Sequence, residues 1–207
     1  MLIFDLDGTL IDSNGVWVEV DKTFLSRRGA PYTQAYYEGV AHTILQNCAI
    51  FTKEYLGLEE SCEEIIAEWM ELAAGQYQKV PLKPGVREYL EKCRSVGHRM
   101  AVFTACVPEH CRAAMEAHHL EPYFEQVIYA QELGEDKRSP AIFRHVAKML
   151  GVRPDECVLF DDSLTACKAA KAAGMTVVGV YDPFFQSSKP DMRELCDRYI
   201  SGFEELL

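Results

Sequence analysis

Apolar residues fall along the chain in two rhythms. Continuous apolar runs occupy Leu2–Leu6, Met100–Thr104, Gln126–Ala130, Cys157–Phe160 and Thr176–Val180, with a weaker one at Arg198–Ile200, and their length predicts buried strands. Val86–Ser95, Glu109–His119, Pro140–Leu150 and Leu164–Ala173 instead carry apolar residues at helical spacing, and Gly97, Gly151 and Gly174 follow three of them as stop signals. Strands alternating with helices predict an α/β fold of three layers, a central parallel sheet covered by helices on both faces. Its ligand site is expected at the carboxyl ends of the strands, near the point where strand order reverses.

One interval breaks this rhythm. The first strand ends near Asp5 and the second begins near Met100, far more chain than the roughly 10–12 residues a crossover needs. The intervening residues read as helices. Gly15–Arg28 carries Val16, Val20, Phe24 and Leu25 before a stop at Gly29, and Ser61-Cys62-Glu63-Glu64 has the form of a capping box ahead of Ile65, Ile66 and Trp69. The expected organisation is a core of residues 1–13 and 80–207 with an all-helical insert at 14–79, the chain returning through Pro81 to Gly85.

Composition narrows the class. A chain of 207 residues has room for a substantial core, and 21 Lys+Arg against 32 Asp+Glu give a formal net charge of −11. Nucleic acid and anionic membrane are disfavoured as partners, because both require a basic field, whereas a small anionic substrate needs only local cations. The eight cysteines have no Cys-x-x-Cys spacing and several lie in apolar runs, so they read as buried reduced thiols, which suits the cytoplasm. The N-terminus MLIFDLDGTLI lacks a basic leader and is interrupted by aspartates, so it reads as neither a signal peptide nor a membrane span.

Chemistry concentrates at the predicted strand ends. Phe4-Asp5-Leu6-Asp7-Gly8-Thr9-Leu10 is an apolar run ending in two aspartates at i and i+2, which share a face if the strand continues, and such carboxylates repel unless a cation lies between them. Met100–Thr104 ends in a hydroxyl, and Cys157–Ser163 ends in Asp161 and Asp162 ahead of a potential cap at Ser163. Lys137 precedes the helix opening at Pro140. Taken singly, each has an ordinary explanation: a solvated turn, a plain strand end, a helix cap, a surface lysine. Together they fall where a parallel sheet places its site.

In this order and spacing, DLDGT at Asp5–Thr9, VFTA at Val102–Ala105, Lys137–Phe143 in the pattern K-x-x-P-x-x-F, and LFDDS…AAKAAGM from Leu159 to Met175 resemble the haloacid dehalogenase superfamily, in its helical-capped phosphatase branch. The resemblance spans nearly the whole chain. It departs at Ala166, where many members have Gly, and at Ala105, where many have Asn. It implies a Rossmann-like core with a helical cap and hydrolysis of a small phosphorylated metabolite, a sugar phosphate or phosphoglycolate-like ester. In that scheme Asp5 attacks phosphorus to form an aspartyl-phosphate, and Asp7 protonates the leaving oxygen and then activates water. Thr104, Ala105 and Lys137 bind the phosphate. Mg²⁺ is held by Asp5, the Asp7 main-chain carbonyl and Asp162, with Asp161 bound directly or through water. Thr9, Asp12 and Ser163 read as loop and supporting residues.

Two other readings are weighed against this one. Phosphosugar mutases of the β-phosphoglucomutase type share the aspartate pair, but where they place a hinge histidine this chain has Trp17. Where their cap turn carries cations for a second phosphate, this chain reads Glu38-Gly39-Val40-Ala41-His42. A phosphate-binding regulatory module without catalysis has no need of a nucleophile, an acid and a metal carboxylate in register. Asp7 separates the chain from dehalogenases and phosphonate-cleaving members, and Lys53 reads as a helix lysine. Trp17, Tyr36, Tyr37, His42 and Thr43 are the substrate-side residues expected on the cap, against an alternative of cap core for the aromatics and a surface histidine for His42.

Overall fold

The computed structural model describes residues 1–40, 45–133 and 137–207. Its elements in chain order are strand β1 (Leu2–Phe4), helices α1 (Val16–Arg27), α2 (Gln34–Val40), α3 (Leu45–Leu56), α4 (Cys62–Tyr77) and α5 (Val86–Ser95), strand β2 (Met100–Thr104), helix α6 (Pro108–Ala117), strand β3 (Gln126–Tyr129), helix α7 (Pro140–Met149), strand β4 (Val158–Asp161), helix α8 (Leu164–Ala173), strand β5 (Thr176–Val180), helix α9 (Lys189–Leu195) and strand β6 (Arg198–Ile200). The strands form one parallel sheet in the order β3-β2-β1-β4-β5-β6. The chain divides into two compact units, Met1–Asn14 with Val80–Leu207, and Gly15–Lys79.

In the first unit the central strands β1 and β2 are buried on both faces and so are apolar rather than alternating, whereas the edge strands β3 and β6 begin with exposed Gln126 and Arg198. Phe4 and Phe160 face one side, stacked at 4.6 Å between centroids, with Tyr89 and Phe203 against them. Ile3, Ala101, Phe103, Leu159 and Val177 face the other, packed by Phe143 and Val146 of α7 and by Ala166, Ala169, Ala170 and Ala173 of α8. The alanines let α8 lie close to the sheet. Gly97, Gly151 and Gly174 all adopt positive φ after their helices, as a left-handed helix end demands.

The expected strand boundaries shift at two ends that matter. The first strand stops at Phe4 rather than Leu6, because Leu6 turns to accept backbone N–H groups from Thr9, Leu10 and Ile11. At the other, β4 extends through Asp161, which pairs in register with Gly179.

The second unit is all helical. Phe24, Leu25, Ile65 and Trp69 fill its centre, and the Ser61 capping box is formed, Ser61 Oγ accepting from Glu64 N–H while Glu64 accepts from Ser61 N–H. Gly39, expected in a turn, lies inside α2. A Cβ there would sit 2.1 Å from the Phe51 ring of α3, so the glycine permits close helix approach rather than a bend. Among the described residues no helix is long and apolar enough to cross a membrane.

Two stability effects follow. Gly85 has φ +74°, and a Cβ would lie 2.4 Å from the Glu204 amide nitrogen, so Gly85→Ala should cost at least about 2 kcal/mol and lower Tm by several degrees in thermal unfolding. In the helical unit Asp21 is pushed up to about 7 by burial, its bond from Tyr36 Oη offsetting only part of the shift. The folded chain therefore holds a proton there that the unfolded chain has released, and stability falls as pH rises from about 4 to about 7. Asp21→Asn should flatten this slope, raising Tm relative to the parent at pH 8 and not at pH 4.

Candidate active site

The strand order puts β1 at the centre, with the chain winding outward to β2 and β3 on one side and to β4, β5 and β6 on the other. The reversal falls beside β1, at the carboxyl ends of β1, β2 and β4, where the three most informative sequence segments end. Asp5 follows β1, its N–H donating to the Phe160 carbonyl at 2.9 Å; Thr104 closes β2; Asp161 closes β4 and Asp162 follows it.

Asp5, Asp161 and Asp162 are all buried, and each offers a carboxylate oxygen within 4.8 Å of the others. Lys137 lies among them. Its Nζ donates to Asp5 Oδ1 and to Asp161 Oδ2, both at 2.7 Å, and to the Phe103 carbonyl at 3.3 Å. Burial pushes the Asp5 carboxyl up to about 7, with Asp161 and Asp7 raising it further and Lys137 opposing them. Asp162 is raised well above the carboxylate range by burial, then by Asp161 and Asp5. Burial works against the Lys137 charge, but the two carboxylates outweigh it and hold the lysine protonated.

The rest of the site orients these groups. Asp161 Oδ1 accepts from Ser163 N–H at 2.9 Å, so both its oxygens are engaged, while Ser163 Oγ caps α8. Thr104 is buried and its Oγ1 accepts from Cys106 N–H at 2.9 Å, which frees its own proton for another acceptor; Ala105 beside it is exposed. Asp7 stands apart from the acidic trio. It lies beyond the strand, so the shared face of a continuing strand does not arise, and its Oδ1 accepts from Ser13 Oγ at 2.5 Å.

Three partners escaped the sequence reading. Ser13 holds Asp7, and Asn14 Nδ2 donates to Asp162 Oδ2 at 2.8 Å, although position 14 reads as the first residue of the helical insert. Gly8 lies against the same pair: with φ +72°, a Cβ would sit 2.1 Å from Asp162 Oδ2 and 2.2 Å from Asn14 Nδ2. The Gly of Asp-x-Asp-Gly was itself a signal of close approach, but nothing in the pattern says what approaches.

In the helical unit, Tyr36 is fully buried and its hydroxyl lies 2.9 Å from Thr52 Oγ1, so it belongs to that unit's core and not to a substrate surface. Tyr37 and Trp17 are half-buried, and His42 and Thr43 lie outside the described residues. Lys53 donates to the Glu59 and Glu60 carbonyls, the structural role expected of it.

A buried carboxylate trio bridged by a lysine thus lies at the switch point of a parallel sheet, where an α/β fold of this kind places its ligand site. The haloacid dehalogenase-like hydrolase family model matches residues 2–180, and the chain belongs to that family. It is 27% identical over 175 residues to a phosphorylated carbohydrates phosphatase of Thermotoga maritima, covering 84% of this chain and 81% of the relative. With a phosphoglycolate phosphatase of Pseudomonas putida it shares 29% over 189 residues, 87% of this chain and 68% of the relative. A solved Thermotoga maritima structure named as a candidate beta-phosphoglucomutase superposes with a TM-score of 0.85 at 25% identity, covering 96% of this chain and 93% of that one.

Gly8→Ala tests the geometry directly. The methyl would displace Asp162 or Asn14 and strain the backbone, so we expect a loss of roughly 2 kcal/mol or more of stability, read by denaturant unfolding, together with loss of Mg²⁺-dependent thermal stabilisation.

Proposed function

We propose that the chain is a Mg²⁺-dependent phosphatase that hydrolyses a small phosphate monoester, a sugar phosphate or phosphoglycolate-like compound, through an aspartyl-phosphate on Asp5. The observation that carries this reading is the buried trio of Asp5, Asp161 and Asp162 with Lys137 bridging two of them. Three clustered carboxylates against one ammonium leave an excess of negative charge, and burial, reinforced by the neighbouring carboxylates, raises the Asp5 and Asp162 carboxyls, which a further cation would oppose. Oxygen donors of this kind suit Mg²⁺, with Asp5, Asp162 and the Asp7 carbonyl as ligands and Asp161, already engaged on both oxygens, contributing through water. Bound there, Mg²⁺ supplies charge neutralisation that lets an anionic carboxylate approach an anionic phosphate.

The residues then divide the work. Asp5 attacks phosphorus as the bond to the leaving oxygen breaks, and Asp7 gives that oxygen its proton. Asp7 next takes a proton from water, whose oxygen attacks the phosphorus, releasing inorganic phosphate and restoring the Asp5 carboxylate. Ser13 Oγ donates to one Asp7 oxygen and so orients the carboxyl that carries the proton. Thr104 presents its hydroxyl proton, Ala105 its N–H, and Lys137 its charge to the phosphoryl oxygens. Lys137 also opposes the burial that raises the Asp5 carboxyl, favouring the ionised form that attack requires.

The helical unit carries ten acidic and five basic residues, and Glu38 takes the sequence position where mutases of the resembled type carry cations, so a singly phosphorylated substrate is favoured over the bisphosphate-primed chemistry of a mutase. All eight cysteines are free thiols in the folded chain, which suits a reducing cytoplasm.

Release of p-nitrophenol from p-nitrophenyl phosphate should require Mg²⁺, and Asp5→Asn should reduce it roughly a thousandfold or more. Persistent turnover by Asp5→Asn would sink the covalent route. Failure of the intact chain on every ester tested would favour a binding module, and hexose phosphate interconversion primed by a bisphosphate would favour the mutase.

A further inference from the structure

Lys83 is a further ammonium of the core unit held among carboxylates. It is 7% exposed, and its Nζ donates to Asp182 Oδ2 at 2.5 Å and to the Tyr181 carbonyl at 3.3 Å, with Asp12 Oδ1 3.9 Å away. Asp182 is 3% exposed, and its other oxygen accepts from Phe184 N–H at 2.8 Å. The Lys83 main chain reaches the opposite way. Its N–H donates to the Leu10 carbonyl at 2.9 Å, Asp12 N–H donates to the Pro81 carbonyl at 2.9 Å, and Ile11 pairs with Leu82 in an antiparallel bridge. One residue thus ties the turn after β1, which carries Asp5 and Asp7, to the segment after β5.

We propose that Lys83 is a positioning residue of the active site, its main chain holding the turn that bears Asp5 and Asp7 while its ammonium fixes that segment to Asp182 and the Tyr181 carbonyl at the end of β5. A buried ion pair is poor value as a stability device, because desolvation consumes most of the attraction and a well-packed apolar pair does as well. What the apolar pair cannot reproduce is a fixed charge that bonds the Tyr181 carbonyl and a carboxylate at once while its backbone holds Leu10. The inference rests on the phosphatase reading but concerns residues outside the nucleophile, acid and metal ligands.

The decisive variant is the double substitution Lys83→Met with Asp182→Leu, which removes both buried charges and leaves none unpaired. We expect it to melt within a few degrees of the parent and to keep KM for p-nitrophenyl phosphate within about threefold, while kcat falls at least about tenfold. About threefold more Mg²⁺ should be needed for half of the thermal shift that Mg²⁺ alone produces. Lys83→Arg, which keeps the charge but not the compact donor, should give a kcat above that of the double variant and below that of the parent. A double variant with parental kcat and Mg²⁺ response would overturn the proposal and leave the pair a fold element. If the double variant does not fold, Lys83→Gln is read by the same two outcomes. No turnover by the parent would sink the phosphatase reading and leave the Mg²⁺ titration to decide the clamp; a parent that neither turns over ester nor responds to Mg²⁺ would sink both.

Discussion

Everything at the site depends on one constraint: carboxylates cannot be buried side by side without cations. Asp5, Asp161 and Asp162 are brought together because β1 and β4 are hydrogen-bonded neighbours and both end at the same edge. The apolar sheet that accomplishes this has helices on both faces, so the strand ends are also where water is scarce and repulsion strong. Lys137, reaching in from the turn before α7, meets two of the three acids at 2.7 Å and partly relieves that repulsion. On the proposed reading, the remaining negative charge suits the site to a divalent cation, and that cation would in turn draw the phosphate, so that fold, metal and substrate class would follow from one electrostatic imbalance.

Most of this arrangement was legible in the sequence because it depends on local pattern. Continuous apolar runs marked the strands, glycines marked three helix ends, and Ser61 with Glu64 marked the start of α4. The acids were legible because Asp is unusual at the end of an apolar run. What stayed hidden depends on contacts between distant segments. Asn14 belongs to the core because its side chain meets Asp162, 148 positions away, and no periodicity reports such a pairing. Tyr36 could have been a surface aromatic; that it bonds Asp21 and Thr52 inside the helical unit follows from how α1, α2 and α3 pack. Gly39 misled for a related reason, since glycine serves turns and close helix contacts alike and only Phe51 distinguishes them.

The charge of the chain has different meanings at different scales. A net charge of −11 says only that polyanions are unsuitable partners. Within the site, a few ångströms decide the outcome, because one lysine at hydrogen-bond distance outweighs many remote acids. An acidic chain can therefore bind phosphate, provided its cations are buried where the phosphate goes. The helical unit offers no comparable excess of cations, and on the proposed reading this is what favours a substrate with one phosphate group.

Lys83 and Lys137 present the same local solution in two places: an ammonium bonded to a carboxylate and to a main-chain carbonyl. Lysine suits this task better than arginine. Its three donors radiate from one compact atom, so a single charge can face carboxylates and carbonyls from different strands, whereas a guanidinium fork favours one planar partner. Neither lysine is an economical source of stability, since each is removed from water to reach its partners. Their value lies in geometry. A carboxylate that must attack phosphorus, and one that must hold a metal beside it, need fixed positions more than they need strong bonds, and a buried ammonium between strand ends supplies position through charge. The turn after β1 is thereby framed by cations, Lys137 at Asp5 and Lys83 near Asp12.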